Sequence, residues 1–257
     1  MASPGSLQIR NVSKTYAVER SKLTVLDRVD LDVPAGAFVS IVGPSGCGKS
    51  TLLRLIVGLD DAYKGEIFAH GERISGTSLS RGIVFQDHRL LPWLTLEQNI
   101  ALGLENAGWS SEEKKRAVRE HIALVGLSGF EGVYPHQLSG GMAQRAAIAR
   151  GLVGKPEVLL LDEPLGALDA LTRLRLQEEL LRIWRAEKVT MVLVTHDVDE
   201  AIYLSDRIVV MNANPGRIVR EFPVELGEQR DRASLGFVAL KRQILDEMGE
   251  VDRRVAA

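Results

Sequence analysis

The chain has 257 residues, 45% of them hydrophobic, with 32 basic side chains against 34 acidic ones. That apolar content excludes a disordered chain and is enough to bury a full core, while the nearly cancelled charge excludes a global field that would recruit nucleic acid or an anionic membrane surface. The single cysteine, Cys47, excludes an internal disulfide and a cysteine metal cluster, as suits a reducing cytoplasm.

No apolar run approaches the length of a membrane span, and the opening Met1–Ser6 lacks the basic and apolar regions of a signal peptide. The expectation is a soluble cytoplasmic chain that reaches any membrane process through a partner protein.

From Leu7 to about Phe85 the pattern predicts short strands with tight turns. Val29–Val33 alternates apolar and acidic residues with period two and predicts a strand with one wet face. Phe38–Val42 is nearly all apolar, as in a strand buried on both sides, and runs into a glycine-rich turn followed by a helix over Ser50–Val57. Gly65–Gly71 reads as a hairpin arm and Gly82–Phe85 as a core strand. Between Asp87 and Lys155 the character becomes helical, with capping boxes at Thr95–Gln98 and Ser110–Glu113. Beyond it, Val158–Leu161, Val189–Val194 and Arg207–Met211 predict strands separated by helical stretches such as Ala170–Arg185, which implies a largely parallel α/β sheet. Asp231–Ala257 reads as one amphipathic helix with a frayed end.

Three patterns carry chemistry. Gly43-Pro44-Ser45-Gly46-Cys47-Gly48-Lys49-Ser50-Thr51 fits the phosphate-loop pattern G-x-x-x-x-G-K-[ST] between a buried strand and a helix. Its backbone N–H groups and the helix N-terminus suit phosphate oxygens. Lys49 would reach the β- and γ-phosphates, Ser50 would ligate Mg²⁺, and Thr51 would support the α-phosphate end. Cys47 would supply only a backbone N–H, although a helix N-terminus can lower a thiol pKa, so that alkylation there should block ATP binding. Second, the apolar run Val158–Leu161 ends in Asp162 and Glu163 at the strand edge where α/β sheets bind ligands. Asp162 would hold Mg²⁺ through water and Glu163 would polarise an attacking water as general base. An acidic strand end by itself is also a common solvated cap. Third, in Leu138–Arg145 the residues Ser139, Gly140 and Gly141 open a helix and form a second anion site, or a simple N-cap.

Leu138-Ser139-Gly140-Gly141 resembles the LSGGQ signature of ABC ATPases, and at average composition this match and the phosphate loop each arise in roughly 1% of chains this long. The resemblance extends from about Leu7 to Leu226 and implies a P-loop NTPase fold: a RecA-like core, an antiparallel β subdomain and an inserted α-helical signature subdomain. It implies an ATPase domain over 7–230 with the insert at about 88–155, and a helical tail over 231–257. Tyr16 matches the aromatic that stacks on adenine, and Gln86 the Q-loop glutamine that touches Mg²⁺ and faces the membrane subunit. Asp169, in Gly166-Ala-Leu-Asp169, matches the loop communicating between paired sites, and His196 the switch histidine on the γ-phosphate. Glu163 and His196 are thus the implied catalytic pair. ATP and Mg²⁺ are the implied cofactors.

In such proteins Ser139–Gly141 would contact a nucleotide held by a second copy, which implies a homodimer closing on two ATP. Met142 departs from the pattern, standing where the consensus has Gln, and implies weakened tuning of the signature helix without inactivity. Phe85–Thr95 and Asn214–Leu226 are similar to segments of the nitrate, sulfonate and taurine importer ATPases. That implies integral-membrane permease subunits, indirectly a solute-binding protein, no nucleic acid partner, and a peripheral location at the cytoplasmic face of the inner membrane. Leu90, Leu91 and Trp93 read equally well as a permease-docking groove or as the insert's own core. The chain also stops too soon after the ATPase core for a sizeable regulatory domain. A soluble non-transport ABC ATPase of translation or DNA maintenance is the alternative, though those usually fuse two ATPase units or insert a coiled coil. A kinase sharing the phosphate loop is disfavoured by Leu138–Gly141.

Overall fold

A computed structural model of the chain describes residues 5–18, 21–227 and 230–255. Expectations about the first four residues and the frayed end at 256–257 lie outside the described residues. The elements run β1 Leu7–Val18, β2 Ser21–Val33, β3 Phe38–Val42, α1 Lys49–Val57, β4 Lys64–Ala69, β5 Glu72–Arg73 and β6 Arg81–Val84. Then follow α2 Leu96–Ala101, α3 Ser111–Leu124, α4 Gly140–Leu152, β7 Val158–Asp162, α5 Ala170–Glu187, β8 Thr190–Thr195, α6 Val198–Leu204, β9 Arg207–Asn212, β10 Arg217–Pro223 and α7 Leu235–Val255.

Two sheets form. One is antiparallel, in the order β2-β1-β4-β5, and the other runs β10-β9-β3-β8-β7-β6. In the second sheet β9, β3, β8, β7 and β6 are mutually parallel and β10 closes the edge antiparallel to β9. Every residue of β3 and β8 is buried, as their nearly continuous apolar sequence requires of central parallel strands. Helix α1 presents Leu52, Leu53, Leu55 and Ile56 to a core that also takes Leu7, Ile9 and Ile67 from the first sheet and Val39, Ile41 and Val192 from the second. One helix therefore ties both sheets together, with each fully buried Leu or Ile contributing roughly 1.5–3 kcal/mol.

The first strands are longer than the pattern predicts. β1 and β2 form one hairpin of 12- and 13-residue strands, with bulges between Ile9 and Thr15. Bulges shift the inward-facing set by one residue, so the period-two signal breaks and one strand reads as several. The β4–β5 hairpin appears where expected, turning through His70 and Gly71 at φ 53 and 77. Strand β10 was not anticipated, because only Phe222 of its residues is buried and the edge carries no alternation.

Both capping boxes form: Thr95 with Gln98 at the start of α2, and Ser110 with Glu113 at the start of α3. Helices α2, α3 and α4 share a core with β6 and β7 through Leu96, Ile100, Val118, Ile148, Val84 and Leu161. Helix α4 lies against β6 at paired glycines: a Cβ on Gly82 would sit 2.6 Å from the Gly151 carbonyl oxygen. Helix α7 docks Phe237 and Ile244 on a cluster from α6 and β9 that includes Ile202 and Val210.

Candidate functional site

Strands β3, β8, β7 and β6 are parallel neighbours, so their C-terminal ends open on one edge of the sheet. Residues 43–51 leave β3 there, His196 leaves β8, Asp162 and Glu163 end β7, and Gln86 follows β6. The order of the strands, not their order in the chain, brings these motifs together.

The glycine-rich loop turns through Gly46 and Gly48 at φ 80 and 95 and delivers the N-terminus of α1 at Lys49. The buried Lys49 ammonium folds back over the loop, donating to the carbonyls of Gly43 at 2.8 Å and Pro44 at 3.0 Å. Behind it the Asn214–Gly216 turn approaches so closely that a Cβ on Gly216 would lie 2.1 Å from the Cys47 carbonyl oxygen. The segment read only as an importer likeness is therefore a buttress of the phosphate loop. Cys47 departs from its expectation. Its side chain is fully buried, and burial pushes the thiol up against the opposing pull of the Lys49 ammonium. Its N–H donates to the Pro44 carbonyl at 3.3 Å.

Ser50 Oγ donates to Asp162 Oδ1 at 2.8 Å. Burial raises the Asp162 carboxyl; the Ser50 hydrogen bond opposes that shift, and the adjacent Glu163 charge adds to it. Glu163 takes the left-handed conformation at φ 47 with its N–H bonded to the Val194 carbonyl at 2.8 Å, a strained geometry that aims its side chain off the strand end. Its Oε2 lies 3.0 Å from His196 Nδ1, and a carboxylate acceptor there keeps a proton on Nδ1. Gln86 joins this group: a Cβ on Gly166 would meet Gln86 Nε2 at 3.3 Å and Glu163 Oε2 at 3.8 Å. A serine hydroxyl beside a carboxylate, with a glutamine amide nearby, is an oxygen-donor set that fits Mg²⁺, which takes few protein ligands and fills the rest with phosphate and water.

Tyr16 stands on β1 opposite Leu23 of β2. Buried Lys14 fixes it, with its ammonium 4.7 Å from the ring centroid and 2.6 Å from Asp60 Oδ1. Burial opposes ionisation of Asp60, but the Lys14 hydrogen bond and the Ala62 N–H hold its carboxyl below the usual range. The same hairpin reaches the phosphate loop at Leu26, whose Cδ2 would lie 2.7 Å from a Cβ on Gly48.

Ser139 is the N-cap of α4, its Oγ accepting from the Met142 N–H at 3.3 Å. A Cβ on Gly141 would strike the Thr172 methyl at 2.5 Å, and one on Gly140 would touch Leu168 at 3.6 Å. Asp169 caps α5, and its carboxyl is lowered by the Thr172 hydroxyl and N–H. Ser139, Gly141 and Met142 line an open cleft of about 360 Å³ with Arg145, Thr172 and Arg175. Met142 also packs on the helical core, so its apolar side chain has a place to go. Among the described residues, no hydrogen bond joins Ser139–Gly141 to residues 43–51. Apart from Tyr16 on β1, the candidate residues thus fall into two groups: 43–51, 86, 162, 163 and 196 at the sheet edge, and 139–141 with 169 beside the cleft.

The stretch after Gln86 is held by residues that the sequence did not single out. Gln144 donates to the Phe85 carbonyl at 3.3 Å, and Arg150 donates to the carbonyls of His88 and Arg89, each at 2.8 Å. Asn99, fully buried, bonds Leu91 through both its N–H and its C=O and also reaches the carbonyls of Leu94 and Thr95. The open question about the apolar patch divides residue by residue: Leu90 is buried in the helical core, whereas Trp93 is 68% exposed. Polar helix positions facing inward were the available signal for Gln144 and Arg150.

A family model described as ABC transporter matches residues 26–166. The aliphatic sulfonates import ATP-binding protein SsuB of Bacillus thuringiensis subsp. konkukian is 49% identical over 94% of this chain and 95% of its own length. An uncharacterized ABC transporter ATP-binding protein, MJ0412 of Methanocaldococcus jannaschii, is 47% identical over 93% of this chain and 90% of its own. The solved structure of the ATP-binding cassette MJ0796, a dimer in a post-hydrolysis state bound to ADP and Pi, superposes with a TM-score of 0.75 at 33% identity, covering 85% of this chain and 99% of that one.

Proposed function

The chain belongs to the ABC transporter family as an ATPase, and from that premise we propose that it powers an importer of a small anion of the sulfonate, taurine or nitrate kind. The observation that carries the paired ATPase at its centre is the separation of the two residue groups. Lys49, Ser50, Asp162, Glu163 and His196 meet at one sheet edge, while Ser139 and Gly141 line a separate cleft. A second copy related by two-fold symmetry would bring its Ser139–Gly141 onto the nucleotide held by the first.

In this reading Lys49 releases its loop carbonyls and engages the β- and γ-phosphates, the 43–48 backbone surrounds them, and Tyr16 stacks on the base. Ser50, Asp162 and Gln86 would hold Mg²⁺, which supplies neutralisation of phosphate charge when bound. Glu163 accepts a proton from the attacking water, oriented by its contact with His196 Nδ1 at 3.0 Å. His196 would sit beside the γ-phosphate and hold Glu163 in place. The ATPase domain spans 7–230, with a helical insert at about 88–155, and a tail over 231–257. The exposed Trp93 and the Gln86–Arg89 stretch gripped by Arg150 would face the permease, and a solute-binding protein would act beyond it. Among the described residues no helix is long and apolar enough to cross a membrane. That fits a peripheral subunit at the cytoplasmic face. Closure of the pair on two ATP would switch the permease, and hydrolysis would reset it.

The kinship with a sulfonate importer subunit supports the solute class. The test is to co-express the chain with candidate permease and solute-binding subunits in vesicles and follow ATP-driven uptake of an alkanesulfonate, taurine and nitrate. Uptake of at least one, abolished by Lys49→Ala, supports the reading. Co-purification with ribosomes and no membrane partner would contradict it.

A further inference from the structure

The start of α5 and the loop before it touch the 139–141 glycines on one side and Asp197, the neighbour of His196, on the other. On one side Leu168 and Thr172 back the glycines of the 139–141 loop, with the Thr172 methyl where a Gly141 side chain would be. On the other, Arg173 donates through Nη2 to the Leu168 carbonyl at 2.9 Å and holds Asp197 Oδ2 3.7 Å from Nη1. Asp197 follows His196 directly. Its N–H donates to Thr195 Oγ1 at 3.1 Å, and its Oδ1 accepts from the Glu200 N–H at 3.1 Å, so it defines the turn that presents the histidine.

We propose that Arg173 is a positioning residue that couples the two ATP sites of the closed pair, linking the 139–141 loop of a chain to His196 of that same chain. The inference rests on the paired arrangement proposed above. There the 139–141 loop serves the partner's nucleotide and His196 serves the chain's own, so a chain of contacts from Thr172 through Arg173 to Asp197 within one chain would connect the two sites. When the partner's nucleotide seats against Gly140 and Gly141, the first turn of α5 moves with them, because no side chain separates Gly141 from Thr172. The guanidinium passes that displacement from the Leu168 carbonyl to Asp197. A planar fork suits the task, since it holds a carbonyl and a carboxylate in fixed relation, which a lysine ammonium does not. Arg173 Nε is buried without a hydrogen-bond partner. A buried donor left unpaired favours a rearrangement that pairs it, so the contact has somewhere to go when the loop shifts.

The experiment measures ATP hydrolysis against ATP concentration for the full chain, alongside equilibrium binding of a fluorescent ATP analogue and thermal unfolding. The wild type is expected to show a Hill coefficient approaching 2, the number of coupled sites. Arg173→Ala and Asp197→Asn should each bring it to about 1 and lower kcat about tenfold, with analogue binding and Tm retained. The double variant should be no worse than either single one, because both remove one link. Arg173→Lys should not restore cooperativity. Thr172→Ser removes the methyl that meets Gly141 while keeping the helix intact, and it should lower the coefficient even if Arg173→Ala fails to fold. Retained cooperativity in Arg173→Ala or Thr172→Ser, or losses that multiply in the double variant, would overturn the proposal. A wild type that hydrolyses ATP without cooperativity overturns it too, leaving the ATPase standing, whereas a wild type that binds no nucleotide overturns the functional reading itself.

Discussion

Replacing Glu200 with glutamine should make the protein more resistant to unfolding as pH rises. Glu200 is 3% exposed in the first turn of α6; its Oε2 lies 2.5 Å from Thr195 Oγ1, and its Oε1 is buried without a hydrogen-bond partner. Burial pushes its carboxyl up to about 7, with the Thr195 hydroxyl opposing and Asp197 adding to the shift, while Arg173 and His196 pull it down. In the unfolded chain the group titrates near its ordinary 4.5. Between those values the folded protein holds a proton that the unfolded one has released. Stability contributed by the neutral form is therefore complete below the lower value and lost as pH rises through the upper one. A gap of that size corresponds to roughly 3 kcal/mol, most of it falling between about pH 5 and pH 8. Equilibrium urea unfolding of the wild type and Glu200→Gln at those two pH values isolates the effect, because any packing cost of the amide is the same at both. The stability difference should move by about 2–3 kcal/mol in favour of glutamine on going to the higher pH. A difference that stays constant within about 0.5 kcal/mol would refute the assignment of a neutral, buried carboxyl.

Other perturbations read the site directly. Gly216→Ala should weaken ATP binding at least about tenfold and destabilise by roughly 1–3 kcal/mol, since the new Cβ meets the Cys47 and Val25 carbonyls at 2.1 and 2.9 Å. Gly108→Ala, where a Cβ meets nothing within 4 Å, is the control, and equal binding in the two would contradict the buttress. Native Cys47 should react with iodoacetamide more than about a hundredfold slower than the urea-unfolded chain, because thiolate and access are both lost on burial. Comparable rates would mean that the loop is open. Met142→Gln should alter turnover by less than about tenfold, with nucleotide binding unchanged; inactivation would show that the apolar residue matters to the cleft.

The largely parallel sheet, the alternation of strands and helices along the chain and the chemical motifs were legible because each is written in contiguous residues. A buried strand entering a glycine turn and an apolar run ending in Asp162-Glu163 need no distant information. What escaped the sequence depends on which segments meet. Gly216 matters because its turn lies on the phosphate loop, Asn99 because the Leu91–Thr95 backbone wraps around it, and Arg173 because α5 passes beside Asp197. At Cys47 a local rule gave the wrong sign: a helix N-terminus lowers a thiol pKa, but burial at this position outweighs it. The bulged β1 was misread as short strands for a related reason, since its register depends on two partner strands at once.

In this account the two groups of site residues work across a pair of chains. The most direct measurement of that pairing is the mass of Glu163→Gln by light scattering with Mg-ATP and with Mg-ADP. The variant should bind ATP without hydrolysing it, doubling from the 28.2 kDa of a single chain with ATP and remaining single with ADP. A variant that is saturated with ATP yet stays at the mass of one chain, or one that still hydrolyses at the wild-type rate, would contradict the account.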